Sequence, residues 1–204
     1  FDSALDWYAQ TNPGINTFAP GTIVWGSTSN DKILLREDNE TAHTLGGTNL
    51  VQGGSGNDTI YLTADATWST GYSAKNVSNE SSVGTNQTIS LEALNRFNDV
   101  IDGGDDMDTL NLTAGNDAFF IDDVYSEHHS SLTLSSTTQG TDSIARAIDL
   151  ETINAGEGND LVDLTSSNFI LSHAVTINGG AGNDTLWGSN GDDVINGGDG
   201  NDTL

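Results

Sequence analysis

The 204-residue chain contains no cysteine. Disulfides, thiolate zinc sites and thiol catalysis are therefore excluded. Positive charge is nearly absent as well: five Lys and Arg stand against thirty Asp and Glu, for a net charge of −25. Such a chain repels itself when compact, and nucleic acid and anionic membranes are excluded as natural partners. Its apolar runs are only a few residues long, too short to insert into and cross a membrane. No signal peptide is visible and the first residue is Phe1, so a segment of a much longer protein is expected. The length fits one domain.

A chain this acidic is either disordered or completed by cations. Disorder fits poorly with 34% apolar residues and with strand-like runs such as Thr109-Leu110-Asn111-Leu112 and Ala118-Phe119-Phe120-Ile121. About five bound calcium ions would offset roughly 10 of the negative charges. The expectation is a chain that is loose without calcium and folded with it.

What is abundant is a glycine-aspartate phrase of nine residues. Gly179-Gly180-Ala181-Gly182-Asn183-Asp184-Thr185-Leu186-Trp187 is followed by Gly188-Ser189-Asn190-Gly191-Asp192-Asp193-Val194-Ile195-Asn196, and a third copy begins at Gly197. This is the nonapeptide of a calcium-binding parallel β-roll. Glycines turn the backbone through positive φ so that carbonyls face inward. The carboxylate adds the hard oxygen that calcium prefers. In this periodic set the expected ligands are Gly179, Ala181, Asp184, Asp193, Gly197, Asp199 and Asp202. Asp184 and Asp202, eighteen residues apart, should share one ion, and Asp193 needs a partner beyond Leu204 or from outside the periodic run.

Variants of the turn recur upstream at irregular intervals. Gly53 to Ile60 is a perfect copy, and Ala155 to Val162 is nearly so. Gly103 to Leu110 carries extra aspartates, Trp25 to Ile33 is a worn copy of the repeat around Trp187, and Ala114 to Asp117 is the weakest. Asp31, Asp58, Asp102, Asp105, Asp106, Asp108, Asp117 and Asp160 are the corresponding metal candidates. An isolated turn of this kind can equally be an Asx-stabilised turn without metal. Where calcium is bound, the partners must come from distant segments, which implies strands from both halves paired through calcium-clamped turns.

The expected fold is all-β: a calcium-stabilised β-sandwich or β-solenoid-like body over residues 1–177, leading into a parallel β-roll over residues 178–204 packed as part of the same domain. The N-terminal 24 residues, with Trp7, Tyr8 and Phe18, should pack an edge. Residues 90–97 can form one or two helical turns capped by Ser90. Strands are expected from Ala118 to Asp122, Ser131 to Thr137 and Ile144 to Leu150. Binding specificity should reside in the segments between the turns.

Several stretches carry a resemblance beyond the turns. They are Asp99 to Gly104, Asp108 to Leu112, Gly115 to Asp123, Val124-Tyr125-Ser126-Glu127-His128-His129-Ser130-Ser131, and Asp149 to Gly156. Together they resemble the calcium-dependent peptide-binding domain of the giant RTX adhesins, long repeat fibres with which bacteria hold on to algae, host cells or each other. The resemblance covers about residues 25–204. It implies a secreted module on the bacterial cell surface, monomeric within a long fibre and folded around several calcium ions. The partner it implies is the C-terminal peptide of a host or neighbouring-cell surface protein, held through its terminal carboxylate by a calcium ion.

On so acidic a domain only calcium or a rare basic residue can receive that carboxylate. Asp102, Asp105, Asp106, Asp108, Asp122 and Asp123 are candidates for the receiving ion, or else hold structural calcium. Lys75 and Arg146 can grip the carboxylate or simply balance local charge. Trp68, Tyr72 and Tyr125 can wall the pocket or fill a core. His128-His129-Ser130-Ser131 with Asp122 or Asp123 invites a hydrolase reading, but the Gly-x-Ser-x-Gly elbow is missing and the histidines lack zinc-protease spacing. No enzymatic activity is expected. A carbohydrate-binding module and a purely structural spacer are the rival readings.

Overall fold

Val24, Ile33, Ala42, Val51 and Ile60 follow one another at nine-residue spacing, and each is fully buried. Each lies within a short strand whose neighbouring side chains point the other way, as pleating requires. The same spacing links Ile101, Leu110 and Phe119, then Ile153 and Val162, then Ile177, Leu186 and Ile195. One apolar residue per nine thus draws the described strands of the three sheets around a shared core.

The computed structural model describes residues 15–17, 21–69, 77–78, 86–87, 91–122, 145–166, 168–171 and 173–204. In chain order its strands are β1 (Ile15–Thr17), β2 (Ile23–Trp25), β3 (Lys32–Leu34), β4 (Thr41–His43), β5 (Leu50–Ser55), β6 (Thr59–Tyr61) and β7 (Ala66–Thr67). There follow β8 (Val77–Ser78), β9 (Asn86–Gln87), β10 (Asn95–Arg96), β11 (Val100–Asp105), β12 (Thr109–Asn111) and β13 (Asp117–Phe120). The last are β14 (Ala147–Ile148), β15 (Thr152–Glu157), β16 (Leu161–Asp163), β17 (Thr176–Ala181), β18 (Thr185–Trp187) and β19 (Val194–Asp199).

Three sheets form a parallel roll. Sheet A runs β1-β3-β5-β11-β14, sheet B runs β2-β4-β6-β12-β15-β17-β19, and sheet C runs β7-β10-β13-β16-β18. All pairings within them are parallel except β7 with β10. From β2 to β6 the chain alternates between sheets B and A. Through the middle it visits B, C and A in turn, and from β15 onward it alternates between B and C. One core cluster takes side chains from all three sheets. A second cluster covers the other face of sheet C with Trp68, Leu91, Ala118, Phe120, Leu161 and Trp187. Sheet C is therefore apolar on both faces, which is why β13 is buried along its whole length.

The all-β, solenoid-like expectation matches this architecture, but the roll is not confined to the C-terminus. Sheet B continues from β2 to β19, and the expected division at residues 177/178 falls inside β17. The helical turns expected at residues 90–97 are replaced by β10. Ala93 adopts a φ of 66°, which breaks a helix, and the Asn95 N–H donates to the Asn116 carbonyl at 2.7 Å instead. The strand expected at Ser131 to Thr137 and the residues Trp7, Tyr8 and Phe18 lie outside the described residues.

Candidate functional site

Many of the roll's strands begin at or just after a turn that ends in a polar residue, and these residues stack in columns along the roll. Ahead of sheet B the column is Glu40, Asp58, Asp108, Glu151. The N–H of Glu40 donates to Asp58 Oδ1 (2.7 Å), that of Asp58 to Asp108 Oδ1 (2.8 Å) and that of Asp108 to Glu151 Oε2 (2.7 Å). Ahead of sheet C the column is Asp117, Asp160, Asp184, Asp202, linked in the same way at 2.9, 2.9 and 3.0 Å. Ahead of sheet A, Asp31 donates to Asn49 and Asn49 to Asp99. Asparagines one position earlier return bonds in the opposite direction, as from Asn201 N–H to Asn183 Oδ1 at 2.9 Å. Neighbouring coils are thus clasped by reciprocal hydrogen bonds.

One oxygen of each carboxylate is used in this clasp. The other is the chemically informative one. Oδ2 of Asp58, Asp108, Asp160 and Asp184 is buried and accepts no hydrogen bond. A buried, acceptor-only oxygen without a donor is costly unless a cation meets it. The backbone supplies what such a cation needs. In these four turns and in that of Asp202, φ is positive four and two residues before the aspartate: Gly54 and Gly56, Gly104 and Asp106, Gly156 and Gly158, Gly180 and Gly182, Gly198 and Gly200. A Cβ on Gly53, Gly103 or Gly179 would collide both with that turn's Oδ2 and with a main-chain carbonyl of the adjoining coil. Carboxylate and carbonyl oxygens therefore converge on one small space.

Asn49 reveals the donor set. Its turn has the same conformation, with φ of 57° at Leu45 and 91° at Gly47. Its side-chain oxygen accepts the Asp31 N–H at 2.9 Å, as the aspartate Oδ1 atoms do for their own neighbours. Its Nδ2 takes the Oδ2 position and donates to the carbonyls of Thr44, Gly46 and Gly47 at 3.3 to 3.4 Å. An ionised aspartate there would present an anionic oxygen to three carbonyl oxygens, an arrangement that calls for a cation or for protonation of the carboxyl. Gly179 and Ala181, and likewise Gly197 and Asp199, stand in their turns where Thr44 and Gly46 stand in this one. Calcium takes six to eight oxygens, carbonyl and carboxylate alike. Among the described residues no group of three or more His, Cys, Asp or Glu side chains forms a metal cluster. One carboxylate with main-chain carbonyls is thus the donor set that would hold the ion.

Electrostatics agree. Burial, reinforced by Asp108 and Glu40, pushes the Asp58 carboxyl up to about 7. Burial, with Asp117 and Asp184 nearby, pushes Asp160 up to about 7, and burial with Glu151, Asp106 and Asp102 pushes Asp108 up to about 6. Asp184 is raised by burial and by Asp202. Without a cation these groups resist ionisation.

The RTX calcium-binding nonapeptide repeat model matches residues 35–66, 95–119, 151–168 and 176–204 in four copies, together just over half of the chain. The chain belongs to this family. RTX nonapeptide repeats bind calcium, and RTX repeat proteins are typically secreted. Neither a curated protein nor a solved structure matches this RTX chain.

The other expected metal residues of this RTX protein fall elsewhere. Asp31, Asp117 and Asp193 stand at the turn position, but their carboxylates are already hydrogen-bonded inside the turn. Oδ1 of Asp193 also accepts the N–H of Val175 at 2.9 Å. Asp102 lies within β11 beside Gln52, with its carboxyl raised by burial and by Asp149, and is outside the columns. Asp105 is exposed at the end of β11. Asp106 replaces a glycine, at a φ of 82°, and accepts the Gly56 N–H.

The ligand-binding candidates need correction where they are described. Trp68, Asp122 and Arg146 are 1, 0 and 2% exposed, so none presents a face to a ligand in solution. Trp68 sits in the cluster on sheet C with Arg96 over its ring at 5.3 Å. Asp122 accepts from Ser166 and Asn168. Arg146 donates to the Asn98 carbonyl and, with Arg96, lowers the otherwise burial-raised Asp65. Its role is internal charge balance. Tyr72, Lys75, Asp123, Tyr125 and the stretch His128 to Ser131 lie outside the described residues.

Glu40, Asn49, Asp99 and Glu151 escaped the sequence reading. The first two carried a signal: with Asp31 and Asp58 they make an unbroken nine-residue series.

Proposed function

We propose that this RTX protein is an adhesin module, closed by calcium on the bacterial cell surface, that captures the C-terminus of a partner's chain. The observation that carries this reading is the placement of its two long insertions. Residues 70–90 are bounded by the antiparallel pair β7 and β10, and residues 123–144 by the antiparallel bridge from Asp122 to Ala145. β10 and β13 are neighbours, so both insertions start and return side by side. Insertions carried on a rigid scaffold are the usual location of binding specificity. Tyr72 and Lys75 come from one insertion, and Asp123 and Tyr125 from the other. With Arg146 buried, Lys75 and calcium are the candidates named from the sequence that are left to receive a terminal carboxylate.

Binding of the calcium-loaded chain to a C-terminal peptide library, with amidated copies as controls, tests this. Binding lost on amidation and on chelation supports terminal capture. Binding indifferent to amidation rejects it.

A carbohydrate-binding role is favoured by a different feature. On the outer face of sheet B the rings of Trp25, His43 and Tyr61 stack at 3.9 and 4.7 Å, and Trp25 is 58% exposed. An exposed aromatic of this kind can stack on a sugar. Competition by free sugars, weakened in Trp25→Ala, would favour that reading.

A further inference from the structure

The turns of this roll fall into two chemical classes, and only one needs a cation. In the turns of Asp31, Asp117 and Asp193 the residue four positions earlier is Ser27, Thr113 or Ser189 rather than a glycine at positive φ. The geometry repeats. The N–H of that residue donates to the aspartate Oδ2, at 2.5 Å from Ser27, 2.7 Å from Thr113 and 2.5 Å from Ser189. Its hydroxyl donates to the same carboxylate at 2.9, 2.8 and 3.0 Å. The hydroxyl oxygen in turn accepts the N–H two residues on, from Ser29, Gly115 or Gly191, at 3.1, 3.0 and 3.2 Å. Neither of those glycines has positive φ. In the open turns the carboxylate faces carbonyls, whereas here it faces donors.

We infer that Ser27, Thr113 and Ser189 act as built-in replacements for calcium, and that Asn49 does the same through its amide, so calcium binds in the turns of Asp58, Asp108, Asp160, Asp184 and Asp202 and not in theirs. A carboxylate that already receives an N–H and an O–H gains little from a cation, and the N–H occupies the direction from which one would approach. The Trp-Gly-Ser phrase shared by Trp25-Gly26-Ser27 and Trp187-Gly188-Ser189 is then a marker of the closed class. Calcium fits the open turns by donor set; the closed turns carry the aspartate without the need.

Calcium bound per chain, measured by equilibrium dialysis on the full chain at saturating calcium, tests the assignment. Asp193→Asn and Asp117→Asn should leave the bound calcium unchanged, while Asp160→Asn and Asp184→Asn should lower it. Asn49→Asp should add an ion, and an unfolded variant cannot imitate that gain. Loss of calcium in Asp193→Asn or Asp117→Asn, in protein shown folded by circular dichroism, would overturn the inference. So would an Asn49→Asp variant that folds and binds no additional ion.

Discussion

The backbone N–H of Asp58 donates to Oδ1 of Asp108, 2.8 Å away and 50 residues along the chain. In an uninterrupted roll that partner would be eighteen residues away, as Asp202 is from Asp184. The long stretch of sequence between β7 and β10 therefore leaves the register intact, and the coils on either side still clasp one another. Offsets of 43 and 24 residues at Asp117 and Asp160 show the same tolerance.

Asn49 gives the rule for exchanging an ion for an amide. Asp160→Asn should place Nδ2 where Oδ2 now lies unpaired. Without calcium the variant should be more stable than the parent, by about 1–3 kcal/mol for a buried polar group that gains partners. With calcium the order should reverse, because the ion's carboxylate is gone. Chemical denaturation with and without chelator checks both signs.

The calcium-free chain should lose stability as pH rises. Asp58 and Asp160 are pushed up to about 7 and Asp108 to about 6 when folded. Unfolded aspartates titrate near 4. The folded chain therefore binds more protons, so this contribution is complete below about pH 4 and disappears as pH rises through about 6 to 7. Circular dichroism of the calcium-free protein should show more structure at pH 5 than at pH 8. The net charge of −25 acts in the same direction. An Asp58→Asn, Asp160→Asn double variant should flatten the dependence and isolate the turn contribution.

The core makes a separate prediction. Ile153 is 1% exposed and belongs to β15, between β12 and β17. Ile153→Ala should cost about 2–5 kcal/mol in the calcium-loaded protein, measured by denaturant unfolding. The bound calcium should remain unchanged if the roll still closes.

The sequence made the open turns legible wherever glycine and aspartate kept their spacing, as at Asp184 and Asp58. It did not reveal that Asp58 meets Asp108, because insertions destroy the period while leaving the register intact. Glu40 and Asn49 were hidden by substitution: the residue changed while the backbone turn did not. The hydrogen-bonded turns of Asp31, Asp117 and Asp193 were hidden for the opposite reason. Their aspartates look alike in sequence, and the difference lies four residues earlier, where a hydroxyl replaces a glycine. Trp25 and Trp187 share a phrase yet stand in different sheets, one exposed and the other buried in the cluster on sheet C. Arg146 could not be placed from sequence because its partners, Asn98 and Asp65, are distant along the chain.

Thermal unfolding of the full chain near neutral pH, followed by circular dichroism in saturating calcium and then in excess chelator, tests calcium-dependent closure most directly. Buried Oδ2 atoms that need a cation predict a large fall in melting temperature on chelation and its recovery when calcium is restored. A melting curve unchanged by chelator would show that the open turns need no cation, and would contradict the assignment of calcium to them.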